Sequence, residues 1–160
     1  MTSRECCSHL AKRAGIAGAA LALLFSSTTV LAAENLRLRD GLSYDSDTDK
    51  GFPIIAEKLD DLALEPGKPT YIFFGASGDL NTNRQAKRVI DLYKRFKTNN
   101  IKFIVVDVDH ASPEAKQLIK TYYQGYIPAQ VLLDKKGAMN WSHSGEVAPG
   151  ELSSRLEKVI

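Results

Sequence analysis

The sequence predicts an α/β fold: a three-layer sandwich in which a mixed sheet of about four strands is flanked by helices and preceded by an N-terminal extension. Two near-continuous apolar runs, "PTYIFFG" and "IKFIVVDVD", are typical of strands buried on both faces. A long one-sided helical pattern separates them, so their connection predicts parallel neighbours. A later pair of strand-like runs around a Lys-Lys-Gly turn predicts an antiparallel hairpin.

The composition is that of one ordinary globular domain. The chain has 160 residues, of which 44% are hydrophobic and 25% are charged. Its formal net charge is +2, and the sequence contains no dense block of Lys and Arg that would follow a phosphate backbone. We therefore do not expect nucleic acid as a partner.

Residues 1–32 have the pattern of a secretory signal peptide. A basic start is followed by an apolar run, and Val30 and Ala32 stand at the −3 and −1 positions of a small-residue cleavage site. Cleavage after Ala32 would make the mature protein periplasmic or secreted, with no stable insertion in a membrane. An uncleaved anchor is the alternative, because residues 15–33 are nearly long enough to span a bilayer, although residues 26–29 interrupt them.

Both cysteines of the chain, Cys6 and Cys7, fall inside this predicted signal peptide. The mature protein, residues 33–160, would therefore contain no thiol. An exported domain without a disulfide depends on its apolar core alone, and a chain of this length is long enough to form one. Dithiol oxidoreductase activity is not expected of it.

The first part of the mature chain is predicted to contain a leader and a short helix. Residues 33–51 are polar and lack periodicity, which indicates an extended leader, linker or partly ordered arm. Order is expected to begin near Phe52, at the start of a domain over residues 52–160. Ile55, Leu59 and Leu62 recur at i, i+4 and i+7, which predicts a short helix ended by a Pro-Gly pair.

The remaining elements follow in order from their patterns. After the strand "PTYIFFG", apolar side chains at helical spacing predict a long helix over residues 81–100. The strand "IKFIVVDVD" is followed by a helix with Ser112 as N-cap and Gly125 as C-terminal stop. The runs "PAQVLLD" and "MNWSHSG" form the hairpin, and "APGELSSRLEKVI" predicts a closing helix.

This element order, together with three sequence stretches, resembles the thioredoxin fold over residues 68–160. The stretches are "KPTYIFFGAS", "FIVVDVD" and "YQGYIPAQVLLDKKG". The most specific piece is Tyr126-Ile127-Pro128 before an apolar strand. The resemblance implies a cis bond between Ile127 and Pro128, which the spacing of residues alone does not predict.

The resemblance also places the two catalytic cysteines of that family at Asp79 and Thr82, so "DLNT" stands where the Cys-x-x-Cys motif would be. Gly78 replaces the preceding tryptophan, and Phe73 and Val105 replace a buried acid and a lysine. Because disulfide exchange needs a thiolate and a resolving thiol, the resemblance implies a redox-inactive member.

Without thiols, the segment before the long helix has two interpretations. In the first, Asp79, Asn81 or Thr82 caps the helix by accepting hydrogen bonds from its free N–H groups. In the second, the helix N-terminus still attracts a ligand, although the Asp79 carboxylate would repel an anion there.

The resemblance implies a binding groove as well. In thioredoxin-like proteins the cis-proline loop offers a backbone edge to an extended peptide, and this contact needs no thiol. Amphipathic tyrosines beside it suit a binding surface, whereas Tyr122 continues the apolar face of its helix and is assigned to the core. The candidate binding residues are Tyr123, Tyr126, Ile127 and Pro128, with Gly78, Asp79 and Thr82 opposite.

The leading functional hypothesis is an exported, redox-inactive module that holds an extended segment of another envelope or secreted protein. One alternative is an enzyme that uses non-cysteine groups such as Asp79 and Thr82, or an atypical component of a thiol-disulfide pathway. A holdase with broad peptide preference is a third. The fold resemblance alone does not decide among them.

Other polar groups were weighed as sites. Asp45, Asp47 and Asp49 alternate as in calcium loops, but the glycine and the final glutamate are misplaced for an EF-hand, which favours a solvated acidic linker. Asp107, Asp109 and His110 follow a strand without a further metal ligand at a suitable spacing, and His110 is interpreted as a loop residue. Trp141 and His143 share one strand face and are explained by packing. We find no phosphate loop, hydrolase elbow or zinc motif, so no catalytic residue, metal or cofactor is predicted.

Overall fold

A computed structural model of the chain describes residues 35–57 and 61–160. The predicted signal peptide, with Val30 and Ala32 at its cleavage site, lies outside the described residues. In the described ranges we find no helix that is both long and apolar enough to cross a membrane.

A four-stranded mixed sheet forms the centre of the molecule, as the sequence predicted. Its strands stand in the order β4-β3-β5-β6. Strand β3 runs parallel to β4 and antiparallel to β5, and β5 pairs antiparallel with β6. The strands are β3 (Thr70–Gly75), β4 (Lys102–Asp107), β5 (Ala129–Leu133) and β6 (Met139–Ser144). A separate two-stranded sheet pairs β1 (Arg37–Leu38) with β2 (Ile54–Ile55).

Three helices cover the two faces of the sheet: α1 (Leu80–Phe96), α2 (Pro113–Tyr122) and α3 (Pro149–Glu157). Successive side chains of β3 point to opposite faces. Tyr71 and Phe73 therefore enter a core with α1 and α3, whereas Ile72 and Phe74 enter a second core with α2. Burial on both faces explains why β3 reads as a continuous apolar run.

The N-cap predicted for α2 is present, while its C-cap is Tyr123 in extended conformation and Gly125 follows two residues later. The Ser112 side chain accepts a hydrogen bond from the Ala115 N–H at 3.2 Å, and Pro113 occupies the first helical position. Past the helix end, Gly125 has φ +91, a left-handed conformation that glycine adopts without steric cost.

The short helix predicted after Phe52 is wrong in its first part. Ile54–Ile55 form strand β2 instead, and Leu62 lies in irregular structure packed against the second core. Leu59 lies outside the described residues. The β-branched Ile pair follows a proline and finds a pairing partner in β1, and this tertiary contact outweighs the helical spacing.

Order also begins earlier than expected. Leu36 is buried in the first core, Leu38 packs beside it, and the Arg39 N–H donates to the Pro53 carbonyl at 2.9 Å. Two apolar residues in a polar stretch are too few for a periodic signal. Their role depends on β2, which lies far along the chain.

A buried lysine anchors the segment that leads into β3. Lys102 has a fully buried side chain, and its Nζ lies 2.8 Å from Asp61 Oδ1 and 3.3 Å from Glu65 Oε1. Lys68 Nζ lies 2.8 Å from Glu65 Oε2. Burial raises the pKa of Glu65, but hydrogen bonds and attraction from Lys68 and Lys102 outweigh it and hold that pKa below the ordinary 4.5.

This ion cluster predicts an acid-sensitive stability. Because the pKa of Glu65 is lower in the folded state, its stabilisation is complete above the ordinary 4.5 and is lost as the pH falls through the folded value. Between neutral pH and about pH 3 the wild type should lose more unfolding free energy than Glu65→Gln, measured by urea titration. Glu57→Gln, at an exposed position, serves as control and should follow the wild type. Equal losses in all three proteins would contradict the assignment.

Two leucines provide a matched test of the core. Leu152 on α3 is fully buried, whereas Leu64 is 39% exposed. Leu152→Ala should lower the free energy of unfolding by about 2–5 kcal/mol because it removes contacts and leaves a cavity. Leu64→Ala should change it by about 0.5 kcal/mol or less. Chemical denaturation of both variants measures the difference, and similar values would show that α3 does not close the first core as described.

Candidate functional site

The start of α1 is closed by its own N-cap residue. Asp79 has an extended backbone with φ −88 and ψ 124, and its Oδ1 accepts a hydrogen bond from the Thr82 N–H at 2.6 Å. The interpretation of this segment as a helix cap is confirmed, with Asp79 as the capping residue. Its carboxylate also counters the positive end of the helix dipole.

Thr82 lies inside the protein and not on a surface. Its side chain is fully buried, and its Oγ1 accepts from the Ala76 N–H at 3.3 Å. This bond fastens the first turn of α1 to the end of β3. A hydroxyl in that position holds the loop and has no exposed face for a substrate, so the contacts of Thr82 and Asp79 do not favour the hypothesis of a catalytic pair.

The acidic part of the leader lies on the first two turns of α1. We name residues 43–49 the strap. Its carboxylates accept from the Leu80 N–H at 2.8 Å, through Asp47 Oδ1, and from Asn83 Nδ2 at 2.8 Å, through Asp49 Oδ2. Its carbonyls accept from α1 side chains as well: Ser43 from Asn83 Nδ2 at 3.0 Å and Tyr44 from Arg84 Nε at 2.9 Å.

Gly78 allows the strap to approach closely. It has φ +82, and a Cβ at this position would lie only 2.7 Å from the Asp49 carbonyl oxygen. A side chain would therefore meet backbone, which cannot move aside cheaply. Glycine here explains how the strap and the loop before α1 fit together.

These contacts correct the interpretation of the three alternating aspartates as a solvated linker. Asp49 also lies 3.8 Å from Arg39, and only Asp45 makes no side-chain contact with α1. Within residues 35–57 and 61–160, no three His, Cys, Asp or Glu side chains converge as metal ligands. The carboxylates of Asp47 and Asp49 act as acceptors for helix donors.

The proline loop, Tyr126-Ile127-Pro128, directly precedes β5. The bond between Ile127 and Pro128 is cis. Pro128 is buried and its carbonyl accepts from the Gly145 N–H at 2.7 Å, whereas Ile127 is half-buried. Because Phe74 pairs with Ala129, directly after the proline, the proline loop lies at the carboxyl end of β3.

The backbone of Ile127 has unused hydrogen-bonding capacity. Within the described part of the chain, neither its N–H nor its C=O makes a hydrogen bond. Tyr126, directly before it, is 71% exposed. A peptide in extended conformation could pair with this backbone and contact the tyrosine ring.

The two other tyrosines are less available. Tyr122 packs on the second core, as its helical spacing predicted. Tyr123 is half-buried, with its ring 5.6 Å from that of Phe74. Burial, and secondarily the charge of Asp109, raises the pKa of the Tyr123 hydroxyl. Of the tyrosines considered for the groove, Tyr126 is the most exposed.

Sequence reasoning considered Asp107 and His110 but missed their contact with Ser77, at the carboxyl ends of β3 and β4. Ser77 Oγ donates to Asp107 Oδ2 at 2.8 Å, and His110 Nδ1 lies 3.0 Å from the same oxygen. The parallel pairing of the strands was the signal that could have found it. Because serine and imidazole both contact one carboxylate oxygen, the arrangement lacks the serine–histidine bond of a nucleophilic pair. It borders a cleft of about 250 Å³ lined partly by Phe52 and Leu62.

Comparison with known proteins gives a result only at the level of three-dimensional structure. No protein-family model matches the chain, and no curated protein matches its sequence. Thioredoxin-2, a component of the malaria parasite protein secretion machinery, superimposes with a TM-score of 0.52 at 18% identity, over 61% of this chain and 89% of that one.

The chain has a thioredoxin-like fold. Thioredoxin from Fasciola hepatica is similar with 21% identity and a TM-score of 0.49, covering 59% of this chain and 84% of its own. The germline-specific thioredoxin Deadhead from Drosophila melanogaster has 18% identity and a TM-score of 0.49, over 59% and 83% of the two chains. At these identities the likeness describes the fold and carries no activity with it.

The fit of the strap on this thioredoxin-like fold predicts a selective effect of Gly78→Ala. Gly137, in the turn between β5 and β6, has φ +77 and open space around its Cβ position. Gly137→Ala should cost only the strain of a left-handed residue, about 1–2 kcal/mol. Gly78→Ala carries the same strain plus the clash with Asp49 and should lose more stability in urea titration. Equal losses would mean that the strap does not lie against Gly78.

Proposed function

We propose that this chain is an exported, redox-inactive thioredoxin-like protein that binds an extended segment of another envelope or secreted protein. The observation that carries the proposal is the half-buried Ile127, whose backbone lacks partners in the described residues, beside the exposed Tyr126. Unpaired backbone at a sheet end is a template for strand addition. The side chains of Tyr126 and Ile127 would supply the apolar contact.

The redox-inactive part rests on the residues present. Cys6 and Cys7 are the cysteines of the chain, and both precede the predicted cleavage after Ala32. The positions that the resemblance assigns to catalytic cysteines hold a capping carboxylate, Asp79, and a buried hydroxyl, Thr82. Neither can form a mixed disulfide.

Export is supported by the basic, apolar and small-residue pattern of residues 1–32. The absence of thiols from residues 33–160 is consistent with a protein that needs no disulfide formation after translocation. A partner in the same compartment follows from this location. The groove would recognise backbone and one or two apolar side chains, so the segment bound would be extended and uncharged at its centre.

Site-specific photocrosslinking tests the groove. A photoreactive phenylalanine analogue at Tyr126 should capture a defined partner in envelope extract, whereas the same group at the exposed Met139 of β6 should not. Ile127→Arg should reduce capture about tenfold or more, since it places a charge in the apolar contact. Met139→Arg is the matched control and should leave capture unchanged.

Two outcomes would contradict the groove. One is that the photoreactive group at position 126 captures the same proteins whether or not the chain also carries Ile127→Arg, when circular dichroism shows that both chains are folded. The other is equal capture from positions 126 and 139, which would indicate contact without a specific surface.

A further inference from the structure

The first two turns of α1 form a surface rich in hydrogen-bond donors. The Leu80 N–H, Asn83 Nδ2 and Arg84 Nε all donate to the strap, and Lys87 Nζ lies 5.4 Å from the centre of the Tyr44 ring. Backbone N–H groups at a helix start and cationic side chains both favour carboxylates and carbonyls. The surface is therefore complementary to an acidic segment in extended conformation.

The strap supplies those acceptors and is held by polar contacts alone. None of its residues belongs to either core, and residues 45–48 are exposed. The apolar residues Leu36 and Ile54, in contrast, fix the two ends of the segment in the first core. Because each polar contact adds only a small net stabilisation, the middle of the segment opens more readily than its two buried ends.

The strap also leaves part of the surface unsatisfied. Asn83 is fully buried, and its Oδ1 has no hydrogen-bond partner within the described residues, although its Nδ2 has two. A buried acceptor without a partner is costly.

We propose that the strap is an intramolecular ligand of the α1 surface and that an acidic, extended segment of a partner protein replaces it. This rests on the proposed binding function, because the strap approaches Gly78 just past the carboxyl end of β3, and the residue after the proline loop, Ala129, pairs with Phe74 at the same end. The partner segment would carry at least two carboxylates, in the positions of Asp47 and Asp49, and it would bind α1 while its continuation reaches Ile127.

The exchange can be measured in the full chain with a synthetic probe. The probe is a fluorescent peptide of sequence GLSYDSDTDK, residues 41–50 of this chain, followed by anisotropy. D47A/D49A removes both carboxylate contacts of the strap and should bind the probe about tenfold or more tighter than wild type, because a site open only about a tenth of the time loses that factor in apparent affinity.

Two charge variants, one in the probe and one in α1, test whether the carboxylates of the probe are recognised by the cations of the helix. GLSYNSNTNK, with asparagine for each aspartate, should bind weakly if the carboxylates are recognised. R84E/K87E added to D47A/D49A should abolish binding. Hydrogen exchange should show a less protected Leu80 amide in D47A/D49A and renewed protection when the probe is added.

The proposal is overturned if folded D47A/D49A binds the probe no better than wild type, or if R84E/K87E leaves binding intact. Its failure is separable from that of the proline groove. Ile127→Arg should not change binding of this probe, while it should abolish photocrosslinking at position 126. If Ile127→Arg abolishes crosslinking but D47A/D49A does not bind the probe more tightly, the strap is not a ligand and the groove stands. If D47A/D49A binds the probe more tightly but Ile127→Arg leaves crosslinking unchanged, the strap proposal is supported and the groove is refuted.

Discussion

Burial of β3 on both faces is the constraint on which the rest of the structure depends. Its six residues are all buried between β4 and β5, and its alternating side chains enter two separate cores. A strand in this position fixes the sheet order and the side on which each helix packs. It also fixes where its carboxyl end leads the chain into α1, and Ala129, directly after the proline loop, pairs with Phe74 at that same end.

The start of α1 is the second decisive place, because free N–H groups at a helix start need acceptors. In this chain the N–H groups of Leu80 and Thr82 are satisfied internally: Asp79 accepts from Thr82, and Asp47 accepts from Leu80. A thioredoxin-like fold can thus place a saturated, charged cap where a reactive group would need free space. The donors of the first two helical turns form the surface on which the chain's own acidic segment lies.

The sequence predicted the sheet, the three helices and the cap of α1 well because their signals are local. Continuous apolar runs identify β3 and β4, and a side-chain acceptor before a helical pattern identifies Ser112 and narrows the cap of α1 to Asp79, Asn81 or Thr82. It failed at Ile54 and Ile55, where helical spacing was outweighed by pairing with Arg37 and Leu38. It also missed Ser77 with Asp107, whose contact depends on two strand ends meeting, and it took Asp47 and Asp49 for solvated charges.

The sequence by itself determined the absence of thiols from residues 33–160, the alternation of buried strands with amphipathic helices, and the residues at the proline loop, because composition and periodicity are properties of the chain. Only the tertiary structure decided which groups face one another. It seated the strap on α1, buried Thr82 and left the Ile127 backbone without a partner in the described residues. The physical reason is that hydrogen-bond partners and burial depend on distances in space, and residues 34 to 40 positions apart have no local pattern that records their contact.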